Sequence, residues 1–424
     1  TYTAPAGSTF TMKSCIITIG DELLQGFTRD TNSEWISQTL MRYDVEVAYK
    51  ITIPDNKNKI IKSLDWATAE NYEYIFITGG LGPTHDDITR NSLKYFFKTS
   101  IELVQDHHEK LVDYFNKRKI PVPVNLESQS SILKGSKPIS NEYGTALGMS
   151  IRFNHSQIFI MPGVPVEMIG MMEQTILPQY FKKSDFFKFI TISTVGRGES
   201  KIAEEISDII QDYKNKIKFA FLPKPTGVNI RLKNLSSESS LLIQVADRIN
   251  SRLKELVYSQ DGETIEHVVG KLLSEKKYTI STAESCTGGM LSKKITDSPG
   301  SSNYFLGGIV AYHNDIKKTM LHIPSKVLDQ FGAVSSETAK LMATSVKNLT
   351  GSMIGISTTG ISGPTGGTSK KPVGLVFIGI AFGDKVYSKK FHFLKNRELH
   401  REMTCTTAIN LVRLLLLEKF PGFV

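Results

Sequence analysis

Tyr74-Ile75-Phe76-Ile77-Thr78-Gly79-Gly80-Leu81-Gly82-Pro83-Thr84-His85-Asp86-Asp87-Ile88-Thr89-Arg90 begins as an apolar, β-branched run, breaks into glycines and reaches two adjacent aspartates. Such a run followed by a glycine-rich turn describes a buried strand that stops sharply. The pattern recurs on both sides. Ser14 to Ile19 stops at Gly20-Asp21-Glu22, and Gln157 to Met161 stops at Pro162-Gly163-Val164-Pro165. Between these lie stretches with helical spacing, such as Asn32 to Arg42 and Lys57 to Glu70. Strands alternating with helices predict βαβ units on a mostly parallel sheet, an α/β fold. Sheets of that kind bind ligands beyond the C-terminal ends of their strands, so the three loops are expected along one edge.

The Gly79–Arg90 loop carries most of the chemistry of this half. Gly79, Gly80 and Gly82 let the backbone approach an anion, and N–H groups at a helix start, beside Thr84, can hold phosphate. Asp86 and Asp87 are hard oxygen donors for a divalent cation, and Asp21 and Glu22 at another strand end strengthen that reading. The alternative is a plain turn in which Asp86 or Asp87 caps the next helix.

The chain has 424 residues, more than one ordinary core accommodates, so two or three domains are expected. A 40% hydrophobic and 22% charged composition is that of a globular protein. No apolar run reaches the roughly 18 residues of a membrane span. Residues 1–11 lack the basic start and apolar core of a signal peptide and read as a non-native appendage, with Met12 a natural start. Cys15, Cys286 and Cys405 are too scattered for a disulfide framework or zinc site, which predicts a reducing cytoplasm. The net charge of +9 is spread over pairs such as Lys182-Lys183 and Lys370-Lys371 rather than a tract. It suits anionic small molecules and gives no footprint for nucleic acid.

Three parts are expected: residues 12–180, 181–260 and 261–424. In the middle part, Lys188 to Val195 and Val228 to Leu232 read as strands and Glu199 to Lys214 and Leu241 to Leu256 as helices. They form a small α+β module in which Glu199 and Ser200 cap a helix. In the last part, Tyr278 to Thr282 reads as a strand leading into Ala283-Glu284-Ser285-Cys286-Thr287-Gly288-Gly289. Phe305 to Ala311, Met353 to Thr358 and Val373 to Phe382 read as further strands, with helices at Ser336 to Asn348 and Glu398 to Leu417. This is a second α/β domain, and the apolar stripe of its last helix makes a homodimer the expected state. A serine between a strand and a glycine-bearing helix start is placed as a nucleophile would be. Tyr312 and Lys317 downstream are available to take its proton, and Ser/Lys pairs attack amides without histidine.

Gly20-Asp21-Glu22-Leu23-Leu24, Asp30-Thr31-Asn32-Ser33 and the Gly79–Arg90 loop resemble the molybdopterin-binding-like domain of the CinA (competence/damage-inducible) family. So do Asn125, Gln129, Gly144-Thr145-Ala146 and Pro162-Gly163-Val164-Pro165-Val166-Glu167-Met168. The Ala283–Gly289 segment, Gly332-Ala333-Val334-Ser335 and Gly360-Ile361-Ser362-Gly363-Pro364 resemble that family's nicotinamide-nucleotide amidase domain. The resemblance runs from Met12 to the end in the expected order. Two positions depart from the pattern: Ser128 stands where a lysine is usual, and Leu147 where a proline is common.

The resemblance implies two hydrolases of pyridine-nucleotide salvage. The N-terminal domain would split ADP-ribose at its pyrophosphate with a divalent metal (Mg, Mn or Co), assisted by potassium, using Asn32 and Gly163 among its substrate contacts. The C-terminal domain would convert nicotinamide mononucleotide to nicotinic acid mononucleotide and ammonia without a cofactor. Ser285 is then the nucleophile, with Lys317 and Tyr312 its partners. Lys317 must be neutral to take a proton, so its pKa must fall from about 10.4. N–H groups in the Gly360–Gly363 turn, which includes Ser362, or beside Thr287 and Gly288 would hold the oxyanion. Arg397 and Arg401 are candidates for the 5′-phosphate.

Each residue has an ordinary alternative. A serine before a helix is commonly its cap. Tyr312 suits a half-buried strand, Lys317 in Asp315-Ile316-Lys317-Lys318 suits a solvated helix, and Arg397 and Arg401 can pair with Glu398 or Glu402. Two other functions compete: a molybdopterin-binding or adenylyl-transferring enzyme, and a DNA-associated competence factor whose binding would be steeply salt-dependent.

Overall fold

The computed structural model describes residues 12–82, 88–182, 189–236, 238 and 240–420. Residues 1–11, Thr84, Asp86 and Asp87 therefore lie outside the described residues. The chain divides into two compact units at residues 187 and 188.

The first unit is built on β1 (Met12–Ile19), β2 (Val45–Ile53), β3 (Tyr74–Thr78), β4 (Ile101–Leu103), β5 (Ser131–Leu133), β6 (Lys137–Ile139), β7 (Gly148–Phe153) and β8 (Ser156–Met161). Six of these form one sheet in the order β2-β1-β3-β8-β7-β6. β2, β1, β3 and β8 run parallel, β7 and β6 close the sheet antiparallel, and β4 pairs separately with β5. Both faces are covered. Ile17, Ile75, Ile77 and Ile158 enter one core and Ile16, Phe76 and Phe159 the other. Strands buried on both faces are continuously apolar, which made β1, β3 and β8 conspicuous in the sequence. The three loops that follow them start side by side among the described residues. Gly79 donates its N–H to the Met161 carbonyl (3.1 Å), and Thr78 Oγ1 donates to that of Pro162 (2.8 Å). At Gly79 φ is +114° and a Cβ would stand 2.1 Å from the Ile19 carbonyl oxygen, so only glycine fits.

In the second unit the middle module comprises β9 (Phe189–Thr194), β10 (Ile217–Lys224), β11 (Gly227–Asn234) and β12 (Val257–Ser259), an antiparallel sheet in the order β10-β11-β9-β12. The single helix expected from Glu199 is two, Glu199–Glu205 and Ser207–Tyr213. They break at Ile206 (φ −113°, ψ 16°), so that Ile202, Ile206 and Ile209 all reach the module's core. Glu199 and Ser200 do not cap it; Gly198 occupies that position without a side-chain bond.

The remainder carries β13 (Ile280–Glu284), β14 (Phe305–Val310), β15 (Ile354–Gly360), β16 (Leu375–Phe382) and β17 (Lys385–His392), in the order β14-β13-β15-β16-β17. β14, β13 and β15 are parallel, and β16 and β17 antiparallel. The helix Arg397–Leu416 lays Cys405, Ala408, Ile409 and Val412 into this domain's core. Its buried Arg413 donates to the carbonyls of Val257 (2.9 Å) and Glu255, fastening the middle module to the helix.

Candidate functional site

Ser285 follows β13 directly and precedes the helix Met290–Thr296. Its N–H is donated to the Thr358 carbonyl of the neighbouring β15 (2.9 Å). The hydroxyl does not cap the helix. Glu284 does that: its carboxylate accepts the N–H groups of Gly289 (2.9 Å), Leu291 (3.0 Å) and Ser292 (2.8 Å). Ser285 Oγ instead lies 3.1 Å from Lys317 Nζ.

Lys317 is not a solvated helix charge; it is 1% exposed. It projects from the helix Asn314–Thr319, and its Nζ also donates to the carbonyls of Ala311 (2.7 Å) and Tyr312 (3.1 Å). No carboxylate touches it among the described residues. Burial pulls its pKa from 10.5 down to about 8. The three contacts suit a neutral amine: two N–H groups for two carbonyls and a lone pair for the serine O–H. Cys286 beside the serine is no rival nucleophile, because burial pushes its thiol up to about 12.

Tyr312 is placed differently from the expectation. Its backbone carbonyl receives Lys317, but its hydroxyl is paired with Arg397 Nη2 (3.1 Å) and the side chain is 59% exposed. Among the described residues the Tyr312 hydroxyl makes no hydrogen bond to Ser285 Oγ or Lys317 Nζ. Arg397 Nη1 donates to the Gly363 carbonyl (2.9 Å), and Arg401 donates through Nε (3.2 Å) and Nη2 (2.6 Å) to that of Thr287. Neither arginine is spent on Glu402, which pairs with Lys294 (2.9 Å). The N-terminal end of this helix thus ties down both loops around the serine. Gly288 donates its N–H to the Ser285 carbonyl (3.2 Å) and is committed. Gly360 ends β15, and Ser362 and Gly363 follow in the same turn.

Two residues here escaped the sequence reading. Glu284 stood in the quoted motif without a role. His400 lies in the same helix, three positions after Arg397 and one before Arg401, and is fully buried. Its Nε2 meets the Gly374 carbonyl (3.2 Å), which can only accept, so Nε2 carries the proton and Nδ1 accepts from the Ser362 hydroxyl (2.9 Å). Burial holds this imidazole below its usual range.

In the first unit a cleft of about 80 Å³ lies at the ends of β1, β3 and β8, lined by Thr18, Glu22, Asp30, Asn32, Thr78 and Gly163 among others. Asn32 Nδ2 donates to Thr78 Oγ1 (2.9 Å) and the Gly163 carbonyl (2.8 Å). Its Oδ1 is buried with no partner among the described residues. Asp30, quoted above in its motif without a role, caps the helix Thr31–Leu40 through the Ser33 N–H (2.9 Å) and accepts Thr18 Oγ1 (3.1 Å). Asp21 donates its N–H to the Asp55 carboxylate (3.1 Å), and Asp55 also stands near Gly80. Asp21 and Glu22 supply the hard oxygens a divalent ion prefers. No group of three His, Cys, Asp or Glu forms a metal cluster among the described residues, so a metal here would need further donors. No described helix is long and apolar enough to cross a membrane.

Fold and site together describe a three-part protein: a molybdopterin-binding-like α/β domain, a KH-like module and a second α/β domain with a buried Ser–Lys contact. Sequence models agree part by part: a probable molybdopterin binding domain matches residues 15–182, the damage-inducible protein CinA KH domain 190–259, and the CinA C-terminal domain 262–416. A putative competence-damage inducible protein of Clostridium beijerinckii is 39% identical, covering 96% of this chain and 100% of its own. One from Caldicellulosiruptor bescii is 38% identical over 94% and 98%. A solved structure of a competence/damage inducible protein from Agrobacterium tumefaciens is 32% identical, covering 36% of this chain and 96% of its own, with a TM-score of 0.35. The chain belongs to the CinA family.

Proposed function

We propose that the C-terminal domain hydrolyses the carboxamide of nicotinamide mononucleotide, releasing nicotinic acid mononucleotide and ammonia. The observation that carries this is the 3.1 Å contact between Ser285 Oγ and a buried Lys317. With a pKa of about 8, roughly a quarter of Lys317 is neutral at pH 7.5. Neutral Lys317 accepts the Ser285 proton as Oγ attacks the carbonyl carbon. The resulting ammonium then gives that proton to the departing nitrogen, and the C–N bond breaks to leave an ester on Ser285. Water, its proton taken by Lys317, attacks the ester; Lys317 passes that proton to Ser285 Oγ as the ester C–O bond breaks, freeing the acid and restoring the neutral amine. The N–H groups of Thr287, Ser362 and Gly363 are the candidate oxyanion donors, since that of Gly288 is committed. Arg397, more exposed than Arg401, is the candidate for the 5′-phosphate, with the exposed Tyr312 hydroxyl beside it in a substrate-binding rather than relay role.

For the first unit we propose the metal-assisted hydrolysis of ADP-ribose at its pyrophosphate to AMP and ribose 5-phosphate, with potassium as an aid. The unpartnered Asn32 Oδ1 in a cleft at the strand ends supports a ligand there. A DNA-binding role is disfavoured by the middle module, whose glycines Gly196, Gly198 and Gly227 never form the G-x-x-G quartet that clamps nucleotides in KH domains.

The test is ammonia release from nicotinamide mononucleotide by wild type and Ser285→Ala. Loss of release in the variant is expected. No release by wild type refutes the substrate, and undiminished release by the variant refutes the nucleophile.

A further inference from the structure

Glu284, the last residue of β13, is fully buried and takes no part in the reaction as written above. Its carboxylate accepts five hydrogen bonds. Oε2 receives the N–H groups of Gly289 and Leu291 and the hydroxyl of Thr287 (2.7 Å), and Oε1 receives the N–H of Ser292 and its hydroxyl (2.6 Å). A carboxylate can only accept, so the direction of the Thr287 hydroxyl is fixed, and Thr358 must donate to Thr287 (2.7 Å) in turn. The Thr287 carbonyl then receives Arg401.

The first N–H groups of a helix need an acceptor, and a serine just before the helix is among the side chains most often recruited. Ser285 opens the turn that leads into the helix, four residues before its N-cap Gly289, and its hydroxyl faces Lys317 rather than the turn's N–H groups. The difference is that Glu284 has already satisfied the helix start from the strand side. We propose that Glu284 is the positioning residue of the nucleophile: by capping the helix Met290–Thr296 in place of Ser285, it keeps the serine hydroxyl available to Lys317. This rests on the Ser285 reading given above. Without Glu284, the unsatisfied N–H groups compete for Ser285 Oγ and the Ser–Lys contact is lost for part of the population.

Glu284→Gln keeps the shape but offers one acceptor oxygen and turns an NH2 group toward N–H donors. Two readouts follow it: steady-state ammonia release from nicotinamide mononucleotide, and the rate at which a small phosphonofluoridate modifies Ser285, located by mass spectrometry. The expected result is a fall of at least tenfold in kcat with KM changed less than about twofold, and a matching fall in the modification rate per folded molecule. Ser292→Ala removes one of the five bonds and is the milder variant should Glu284→Gln not fold; it is expected to slow both by about two- to fivefold. Either variant losing thermal stability while keeping wild-type kcat and modification rate would overturn the proposal. If wild type releases no ammonia yet is modified at Ser285, and the variants are modified more slowly, the substrate reading fails and the role of Glu284 stands. A wild type inert to both reagents would overturn both.

Discussion

Replacing Lys317 with methionine removes the amine and keeps an unbranched chain of similar bulk. In wild type, a drop from 10.5 to about 8 means that burial disfavours the ammonium by about 3 kcal/mol, at roughly 1.4 kcal/mol per unit. Methionine relieves that cost. It also strips the donor from the carbonyls of Ala311 and Tyr312, at about 1–3 kcal/mol for a buried group. Near neutral pH the two effects largely offset, and the variant should unfold close to the wild type. At high pH they do not. The folded pKa lies below the unfolded one, so the folded protein binds fewer protons between about pH 8 and 10.5. Wild-type stability from this group therefore rises across that window, and the full penalty remains below it. Denaturant unfolding of both proteins at pH 7.5 and 10.5 is the assay, because other groups cancel in the difference. Wild type should gain about 3 kcal/mol on the variant. Ammonia release should fall at least about a hundredfold. A difference in stability that stays flat with pH, or activity within tenfold of wild type, would refute the buried-base argument.

Two further perturbations test the surroundings of the site. Ser362→Ala and His400→Leu each remove one end of a buried hydrogen bond; each should cost about 1–2 kcal/mol in denaturant unfolding, with the double variant about 1 kcal/mol short of the sum. Additive costs would mean the pair is not coupled. Gly355→Ala would set a Cβ 2.0 Å from the Ala343 carbonyl oxygen, between β15 and the helix Ser336–Thr350. A loss of about 3 kcal/mol, read as a melting temperature lower by about 6–12 °C, is expected; an unchanged melting temperature would contradict the close packing there.

What the sequence disclosed depended on how local the signal was. β1, β3 and β8 are buried on both faces and followed by glycine or proline, so a short window was enough. β2, β10 and β17 lie at sheet edges, where charges alternate with apolar residues and, in β10, Pro223 is tolerated; none stood out. Ser285 was legible because strand, serine and paired glycines are contiguous. The burial of Lys317 was not. Asp315-Ile316-Lys317-Lys318 reads as polar, yet a turn of helix sends Lys317 inward while Lys318 stays beside Asp315 at the surface. A six-residue helix is too short to reveal its inner face by periodicity. Glu284 and His400 were missed for another reason: their roles consist of bonds to backbone N–H and C=O groups and to hydroxyls, which no residue pattern marks.

The same geometry bears on why a lysine suits the proposed substrate. The nicotinamide ring of the mononucleotide is a pyridinium, a fixed cation that draws electrons from its carboxamide and makes the carbonyl carbon a better target. An ammonium base would meet that ring with like charge, which raises the cost of the protonated form and favours the amine. Burial and the proposed substrate therefore push Lys317 in the same direction, toward the form that can accept the serine proton. The ammonium needed for ammonia's departure arises only after attack, when the developing oxyanion supplies a compensating negative charge. A buried lysine without a carboxylate partner among the described residues is costly as a structural element. As a base poised against a cationic amide, its lack of a counterion is what the chemistry requires.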